Sequence, residues 1–209
     1  MKRNSVILLV ETIVIIGLTF LSKLTFSIKI LSLRIGTNVA VYLLLALSAL
    51  IAIKLSGVKV DFFWKNSKQF AVGGGVALIL SLCLAWIPAL CRFSLVGAHI
   101  NFVPWQLFYN LLYCFLIVGP VEELIFRVYY QKVLTGIFAK CRLLGVILAA
   151  ALFGLWHLIN GSWVQVAFTF GIGLVFGVTK EYVKEVHYPG VAFGHGLYDF
   201  LNYVVRVVV

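Results

Sequence analysis

Glu122, Glu123 and Arg127 stand close together between long apolar segments of the chain. Hydrocarbon disfavours charge, so ionisable side chains inside a membrane segment are functional candidates. Glu123 and Arg127 are four residues apart, so on a helix they share a face and can form an ion pair. Glu122 projects about 100° away from Glu123 and faces a different environment.

Two further polar groups interrupt apolar stretches nearer the C-terminus. Phe153-x-x-x-His157 ends one stretch, and His195 and Asp199, four residues apart, share a face of the last helix. Asn202 lies two turns beyond His195 on the same stripe. A single histidine or Glu-Arg pair in a membrane helix often serves only packing. Three separate helices that each carry an ionisable group, in a chain with 11% charged residues, favour a common site.

These residue types are suited to hydrolysis of an amide bond. That reaction needs an activated water and hydrogen-bond donors for the tetrahedral oxyanion. A carboxylate deprived of water beside a second carboxylate has a raised proton affinity, which suits a general base. One histidine can orient the same water, and a second, with an amide or a protonated carboxyl, can donate to the oxyanion. The same set also allows a catalytic zinc, which needs two histidines and one carboxylate, although the spacing H-E-x-x-H is absent.

The composition indicates a polytopic membrane protein. The 209 residues are 63% hydrophobic and 11% charged, with a mean hydropathy of +1.08, whereas soluble domains carry roughly 25% charged residues. Lys2 and Arg3 before an apolar run resemble a signal peptide. The run has the length of a full span, contains Glu11 and lacks a cleavage site, so we interpret it as a retained first span.

The helical elements that must position the candidate residues follow from the hydropathy pattern. Gly119-Pro120 predicts a kink or a restart. The segment 120–140 is then either the end of span four with an interfacial helix or a span of its own. The expected fold is all-α, with seven or eight transmembrane helices and an intramembrane catalytic cavity. The predicted spans are 5–21, 38–53, 70–90, 105–118, 143–159, a sixth that ends at 178 and a last one that begins at 189.

The loop charges predict the orientation. A first loop with Lys23, Lys29 and Arg34, a polar stretch at 54–69, a turn at 160–162 and a charged loop at 180–188 separate the spans. With seven spans and a cytoplasmic N-terminus, the inside segments hold twelve lysines and arginines and the outside segments five. This excess favours a cytoplasmic N-terminus. The net charge of +10 is therefore assigned to topology and to membrane lipid, and no nucleic-acid partner is expected.

The three motifs resemble those of the CPBP family, the CAAX prenyl protease and bacteriocin-processing group, also called Abi. They are Glu122-Glu123-x-x-x-Arg127, Phe153-x-x-x-His157 and His195-x-x-x-Asp199, in this order on separate apolar helices. The resemblance covers roughly 105–205. We therefore divide the chain into N-terminal transmembrane helices of about three spans (1–104) and a catalytic helical core (105–209).

The resemblance implies an intramembrane endopeptidase of the glutamate-dependent type. Glu122 would activate water with His157, and His195 would bind the oxyanion with the fourth residue of its motif, Asp199. The supporting residues would be Glu123, Arg127, Phe153 and Asn202. An ionised aspartate repels an oxyanion, so Asp199 is either protonated or orients His195, or Asn202 supplies the amide. No cofactor is favoured; zinc held by Glu122, His157 and His195 is the lesser alternative.

The expected substrate is a membrane-anchored peptide or a lipidated protein. Small size and lysine-rich loops favour a bacterial plasma membrane, where a leader peptide, a peptide pheromone or a bacteriocin would be the substrate. The first rival function is a non-catalytic scaffold or bacteriocin-immunity protein of the same family. The second is a transporter whose intramembrane charges line an ion path, although no internal repeat is visible.

Overall fold

The computed structural model describes residues 2–60, 66–159 and 161–209, and within these ranges the regular structure is helical, without a strand. Three π-helical segments, Leu82–Trp86, Cys114–Val118 and Leu124–Tyr130, join α3 to α4, α5 to α6 and α6 to α7, and a 3-10 turn, His157–Ile159, extends α8. In chain order the helices are α1 (Lys2–Thr25), α2 (Leu31–Ser56), α3 (Lys68–Ser81), α4 (Ile87–Leu90), α5 (Pro104–Tyr113), α6 (Gly119–Glu123), α7 (Gln131–Ile137), α8 (Arg142–Trp156), α9 (Trp163–Tyr182) and α10 (Tyr188–Val208).

The helices form two compact units, each built from two separate stretches of the chain. The first unit comprises Met1–Asp61 and Val121–Val183, and the second Phe62–Pro120 and Lys184–Val209. The predicted division into 1–104 and 105–209 remains a prediction.

Within the residues that the structure describes, five helices are long and apolar enough to cross a membrane. At most 33% of the apolar window in any of them is buried, so most of the apolar side chains face outward. Outward apolar surface of this extent is stable in lipid and not in water, and the chain is therefore an integral membrane protein. The predicted count of seven or eight spans stays a prediction. The five helices are Arg3–Thr25, Leu31–Ser56, Lys68–Leu90, Arg142–Ile159 and Trp163–Tyr182.

Several cationic residues that were predicted to lie between the spans lie within helices. Lys23 belongs to α1, Arg34 to α2 and Lys180 to α9. Long cationic side chains extend to the membrane interface from inside a helix, so a charge marks the end of the apolar run and not the end of the helix. Lys23 illustrates this, because its ammonium donates to the carbonyl of Ile159 at 2.8 Å.

Two predicted loops include residues outside the described part of the chain. These residues include Asn160 in the predicted turn at 160–162, and Asp61 and Lys65 in the polar stretch at 54–69. Of the turn, the structure shows that Ser162 caps α9, its side chain accepting a hydrogen bond from the backbone N–H of Gln165.

At Gly119-Pro120, where a kink or a restart is predicted, a π-turn precedes the proline and α6 begins at Gly119. The N–H of Gly119 binds the carbonyl of Cys114, five residues back. Proline lacks an N–H, and its ring clashes with the carbonyl four residues earlier in an α-helix. A wide turn placed just before Pro120 moves that carbonyl, so the helix continues. The same solution precedes Pro88, where the N–H of Ile87 binds the carbonyl of Leu82.

Glycines in the second unit allow backbones to approach closely. A Cβ at Gly73 would lie 2.0 Å from the carbonyl oxygen of Gly190, and a Cβ at Gly196 would lie 2.7 Å from that of Cys114. Small residues permit such contacts between membrane helices. The sequence Gly73-Gly74-Gly75 is compatible with close helix approach or with a flexible start of a span. Close approach applies at Gly73, whereas Gly75 faces open space.

No disulfide joins the four cysteines, all of which lie in the described part of the chain. Their apolar surroundings predict burial, which is confirmed for Cys114 and wrong for Cys83, Cys91 and Cys141, because these three positions are exposed.

Candidate functional site

Glu122 lies in a small polar cavity of the first unit. Its side chain is 3% exposed, and the hydroxyl of Tyr42 donates to its Oε1 at 3.1 Å. The cavity has a volume of about 80 Å³, enough for one or two waters. A buried carboxylate and a partly buried imidazole therefore border a space that can hold the water needed for hydrolysis. The lining residues are Thr19, Ser22, Tyr42, Leu45, Glu122, Trp156 and His157.

His157 lines this cavity at the end of α8, and Phe153 fixes its ring. Nδ1 of His157 lies 2.9 Å from the carbonyl oxygen of Phe153. A carbonyl only accepts, so Nδ1 carries the hydrogen, and Nε2 is an acceptor when the imidazole is neutral. The ring of Phe153 meets that of His157 edge-on, with centroids 4.7 Å apart. The motif Phe153-x-x-x-His157 thus sets both the orientation and the tautomer of the histidine.

Glu123 and Arg127 form the ion pair that their spacing predicts. Nε of Arg127 lies 3.3 Å from Oε2 of Glu123, and the side chains are 1% and 0% exposed. The guanidinium carbon of Arg127 lies 4.4 Å from the ring centroid of Phe153. Every residue of the π-helical segment Leu124–Tyr130 is buried, as expected of a helix in the centre of its unit. The pair therefore connects this central segment to the Phe153-His157 motif.

His195 and Asp199 belong to α10 in the second unit. Nε2 of His195 lies 3.4 Å from Oδ2 of Asp199, and the side chains are 4% and 29% exposed. A carboxylate at this distance can hold an imidazole in one orientation. Tyr188, at the start of the same helix, donates from its hydroxyl to the carbonyl of Pro120 at 2.9 Å. Asn202 lies two turns beyond His195 and is partly buried.

The sequence did not single out the cavity residues of α1 and α2. Thr19, Ser22 and Tyr42 interrupt otherwise apolar spans, and that interruption is the signal that was available. Trp156, expected to serve packing, also borders the cavity, and its indole N–H donates to Oγ1 of Thr19 at 2.5 Å.

Glu11, the remaining intramembrane carboxylate of the first span, has a structural partner. Ser48 donates to its Oε1 at 3.0 Å, and Glu11 is 5% exposed. The sequence showed no partner because Ser48 lies on the next helix. Glu11 does not line the cavity of Glu122.

Within the described part of the first unit, Glu122 and His157 are joined by no third histidine, cysteine or carboxylate in an arrangement that holds a metal ion. The ring geometry of His157 fits either role: a carbonyl on Nδ1 also orients histidines that bind metals through Nε2.

Comparison with known proteins identifies the C-terminal half of the chain. Residues 104–201 match the family model described as type II CAAX prenyl endopeptidase Rce1-like. No curated protein and no solved structure matches the chain. The matched segment contains all three motifs. Over these residues the chain is similar to the Rce1-like family, which is consistent with the CPBP family of membrane proteases that its motifs resemble.

Proposed function

We propose that this protein is an intramembrane endopeptidase in which Glu122 and His157 activate the water that hydrolyses a peptide bond. The single observation that carries the proposal is the shared cavity: Glu122 and His157 line one space of about 80 Å³. The Rce1-like match supports membrane protease activity at the level of the family.

In the proposed reaction, Glu122 accepts a proton from water as the water oxygen attacks the carbonyl carbon of the scissile peptide. Nε2 of His157 accepts the second hydrogen bond of that water and so directs its lone pair. The tetrahedral intermediate then collapses, the C–N bond breaks, and the protonated Glu122 returns its proton to the leaving amine. General acid–base transfer of this kind contributes about 10²- to 10⁴-fold to a rate.

We propose that His195 donates a hydrogen bond to the oxyanion and that Asp199 orients the imidazole of His195. The assignment is supported by the motif His195-x-x-x-Asp199 and by the distance of 3.4 Å between the two side chains. An aspartate that orients the ring need not itself face the negative oxygen. The amide of Asn202 is the alternative hydrogen-bond donor to the oxyanion.

The proposed substrate is a membrane-anchored peptide or the C-terminal tail of a lipidated protein. The matched family is described as a prenyl endopeptidase, and an enzyme embedded in lipid meets substrates that are themselves held in the bilayer. We propose a reaction without a cofactor, with zinc on Glu122, His157 and His195 as the lesser alternative.

The experiment is a cleavage assay in liposomes with a pool of membrane-anchored peptides, some prenylated on a C-terminal C-a-a-X sequence and some not. We expect Glu122→Gln to lower the rate of cleavage by about 10²- to 10⁴-fold, and His157→Ala to lower it strongly. Glu11→Gln is the matched control, because Glu11 is also a buried carboxylate that accepts a hydrogen bond. It should retain wild-type activity.

Two results would overturn parts of the proposal. Cleavage that survives Glu122→Gln would remove the general base, and a cellular phenotype that also survives would favour a scaffold or immunity protein. Cleavage that is lost with a chelator and restored by zinc would replace the cofactor-free reaction with the metal-dependent one.

We further propose seven spans, with the N-terminus in the cytoplasm of a bacterium. Pro104–Tyr113 with its continuation to residue 137, and α10, would be the two spans beyond the five apolar helices. Cys91 and Cys141, both free and exposed, allow a direct test. A membrane-impermeant maleimide should label Cys91 and spare Cys141 in intact cells; the opposite pattern would invert the topology.

A further inference from the structure

The cavity of Glu122 is completed by helices that lie outside the family match. The match covers residues 104–201, whereas Thr19 and Ser22 come from α1 and Tyr42 from α2. All of these residues belong to the first unit. The N-terminal helices of this unit therefore do more than anchor the chain in lipid, because they contribute polar atoms to the space beside Glu122.

Tyr42 makes the contact with the clearest chemical consequence. Its hydroxyl donates to Oε1 of Glu122 at 3.1 Å. A donor on one carboxylate oxygen fixes the plane of the group and stabilises the ionised form that must accept a proton from water. Glu122 is 3% exposed, so bulk water cannot easily replace a lost donor.

Thr19 contacts Trp156, which also lines the cavity. The indole N–H of Trp156 donates to Oγ1 of Thr19, and the threonine hydroxyl donates in turn to the carbonyl of Ile15 at 2.7 Å. The rings of Trp156 and His157 meet nearly at right angles, with centroids 5.0 Å apart. The α1 helix thereby restrains the ring next to the catalytic histidine.

From these contacts we infer that Tyr42 is a positioning residue for Glu122, supplied by an N-terminal helix that the family segment does not include. The inference rests on the proposed function of Glu122 as the general base. Tyr42 acts through the carboxylate and does not contact the reacting atoms. Helices α1 and α2 thus form part of the proposed active site, and residues 104–201 alone do not contain the complete cavity.

The experiment compares Tyr42→Phe with Tyr130→Phe in the full-length protein. Tyr130 is the matched control: its hydroxyl is in hydrogen-bond contact with that of Thr12 at 2.8 Å, and it does not line the cavity of Glu122. The first readout needs no substrate. The infrared difference between wild type and Glu122→Gln isolates the carboxylate bands of Glu122, and those bands should shift in Tyr42→Phe and stay in place in Tyr130→Phe.

The second readout is kinetic and uses the peptide that wild type cleaves fastest. We expect Tyr42→Phe to lower kcat by about tenfold to a hundredfold, the range for a hydrogen bond to a charged group, with KM and the melting temperature unchanged. Tyr130→Phe should leave kcat unchanged and lower the melting temperature.

The outcomes separate this inference from the proposed function. Activity that survives Glu122→Gln overturns the proposed function. Activity that is lost in Glu122→Gln but kept in Tyr42→Phe overturns the inference alone. Bands of Glu122 that do not move in Tyr42→Phe also overturn it, whether or not any peptide of the pool is cleaved.

Discussion

Two side-chain pairs with the same spacing, Glu123 with Arg127 and His195 with Asp199, have different surroundings. Glu123 and Arg127 approach to 3.3 Å with 0% and 1% of their side chains exposed. His195 and Asp199 approach to 3.4 Å, but Asp199 is 29% exposed. The members of each pair are four residues apart in the sequence, and one pair lies in the first unit and the other in the second.

The difference shows that spacing predicts pairing, whereas burial decides what a pair can do. A fully buried pair cannot contact a substrate. Its interaction energy stabilises the arrangement of the helices around it. Arg127 does so by lying over the ring of Phe153. A pair with one open carboxylate can orient a histidine and still respond to a ligand. This favours a structural role for Glu123 and Arg127, and it leaves His195 and Asp199 as the pair that we propose to take part in the reaction.

The largest effect on stability is expected from Arg127→Met. The substitution leaves Glu123 buried and uncompensated, and breaking a buried pair at one partner costs about 3 to 5 kcal/mol. Unfolding of the purified protein in mixed detergent micelles measures the loss. Activity per folded molecule should fall as well. Phe153 loses the cation that packs on its ring, and the carbonyl of Phe153 orients His157.

The double variant Glu123→Gln/Arg127→Met is the control for this prediction. It removes both charges, so most of the lost stability should return. A double variant that is as unstable as Arg127→Met would mean that Arg127 acts by its packing and not by its charge.

A smaller loss is expected where α3 packs against α10, the helix of the second pair. A Cβ at Gly73 would meet the backbone oxygen of Gly190 at 2.0 Å, so Gly73→Ala forces the helices apart and should cost about 1 to 3 kcal/mol. Gly75→Ala, which faces open space, should be neutral or slightly stabilising. Equal unfolding curves for the two variants would contradict the close approach of α3 and α10.

The sequence predicted the helical class and the pairs within one helix, because both depend on local periodicity. The ion pair of Glu123 with Arg127 and the apolar spans follow directly from spacing and hydropathy. Helix ends were predicted less well: Arg34 and Lys180 lie inside helices, since long side chains carry their charge away from the backbone.

The contacts between distant parts of the chain were not predictable by the same reasoning. Tyr42 and Glu122 are 80 residues apart, and no periodicity relates them. The π-turn before Pro120 was equally hidden, since proline itself indicates a kink or a restart and does not show how the preceding turn adapts. Gly73 indicated close approach as one of two possibilities, and only the neighbouring backbone decides between them.

The smallest effect on stability is expected from Asp199→Asn. The same variant is the most direct test of the partly exposed pair of His195 and Asp199. A partly exposed pair contributes little to folding, so the free energy of unfolding should change by less than about 1 kcal/mol. If Asp199 orients His195, the neutral amide holds the imidazole less firmly, and kcat should fall about tenfold or more, as for other carboxylates that orient a catalytic histidine. Asn202→Ala, measured in the same cleavage assay, should have the weaker effect. A rate that is equal or higher in Asp199→Asn would instead identify residue 199 as a direct donor to the oxyanion, because an amide donates where an ionised carboxylate cannot.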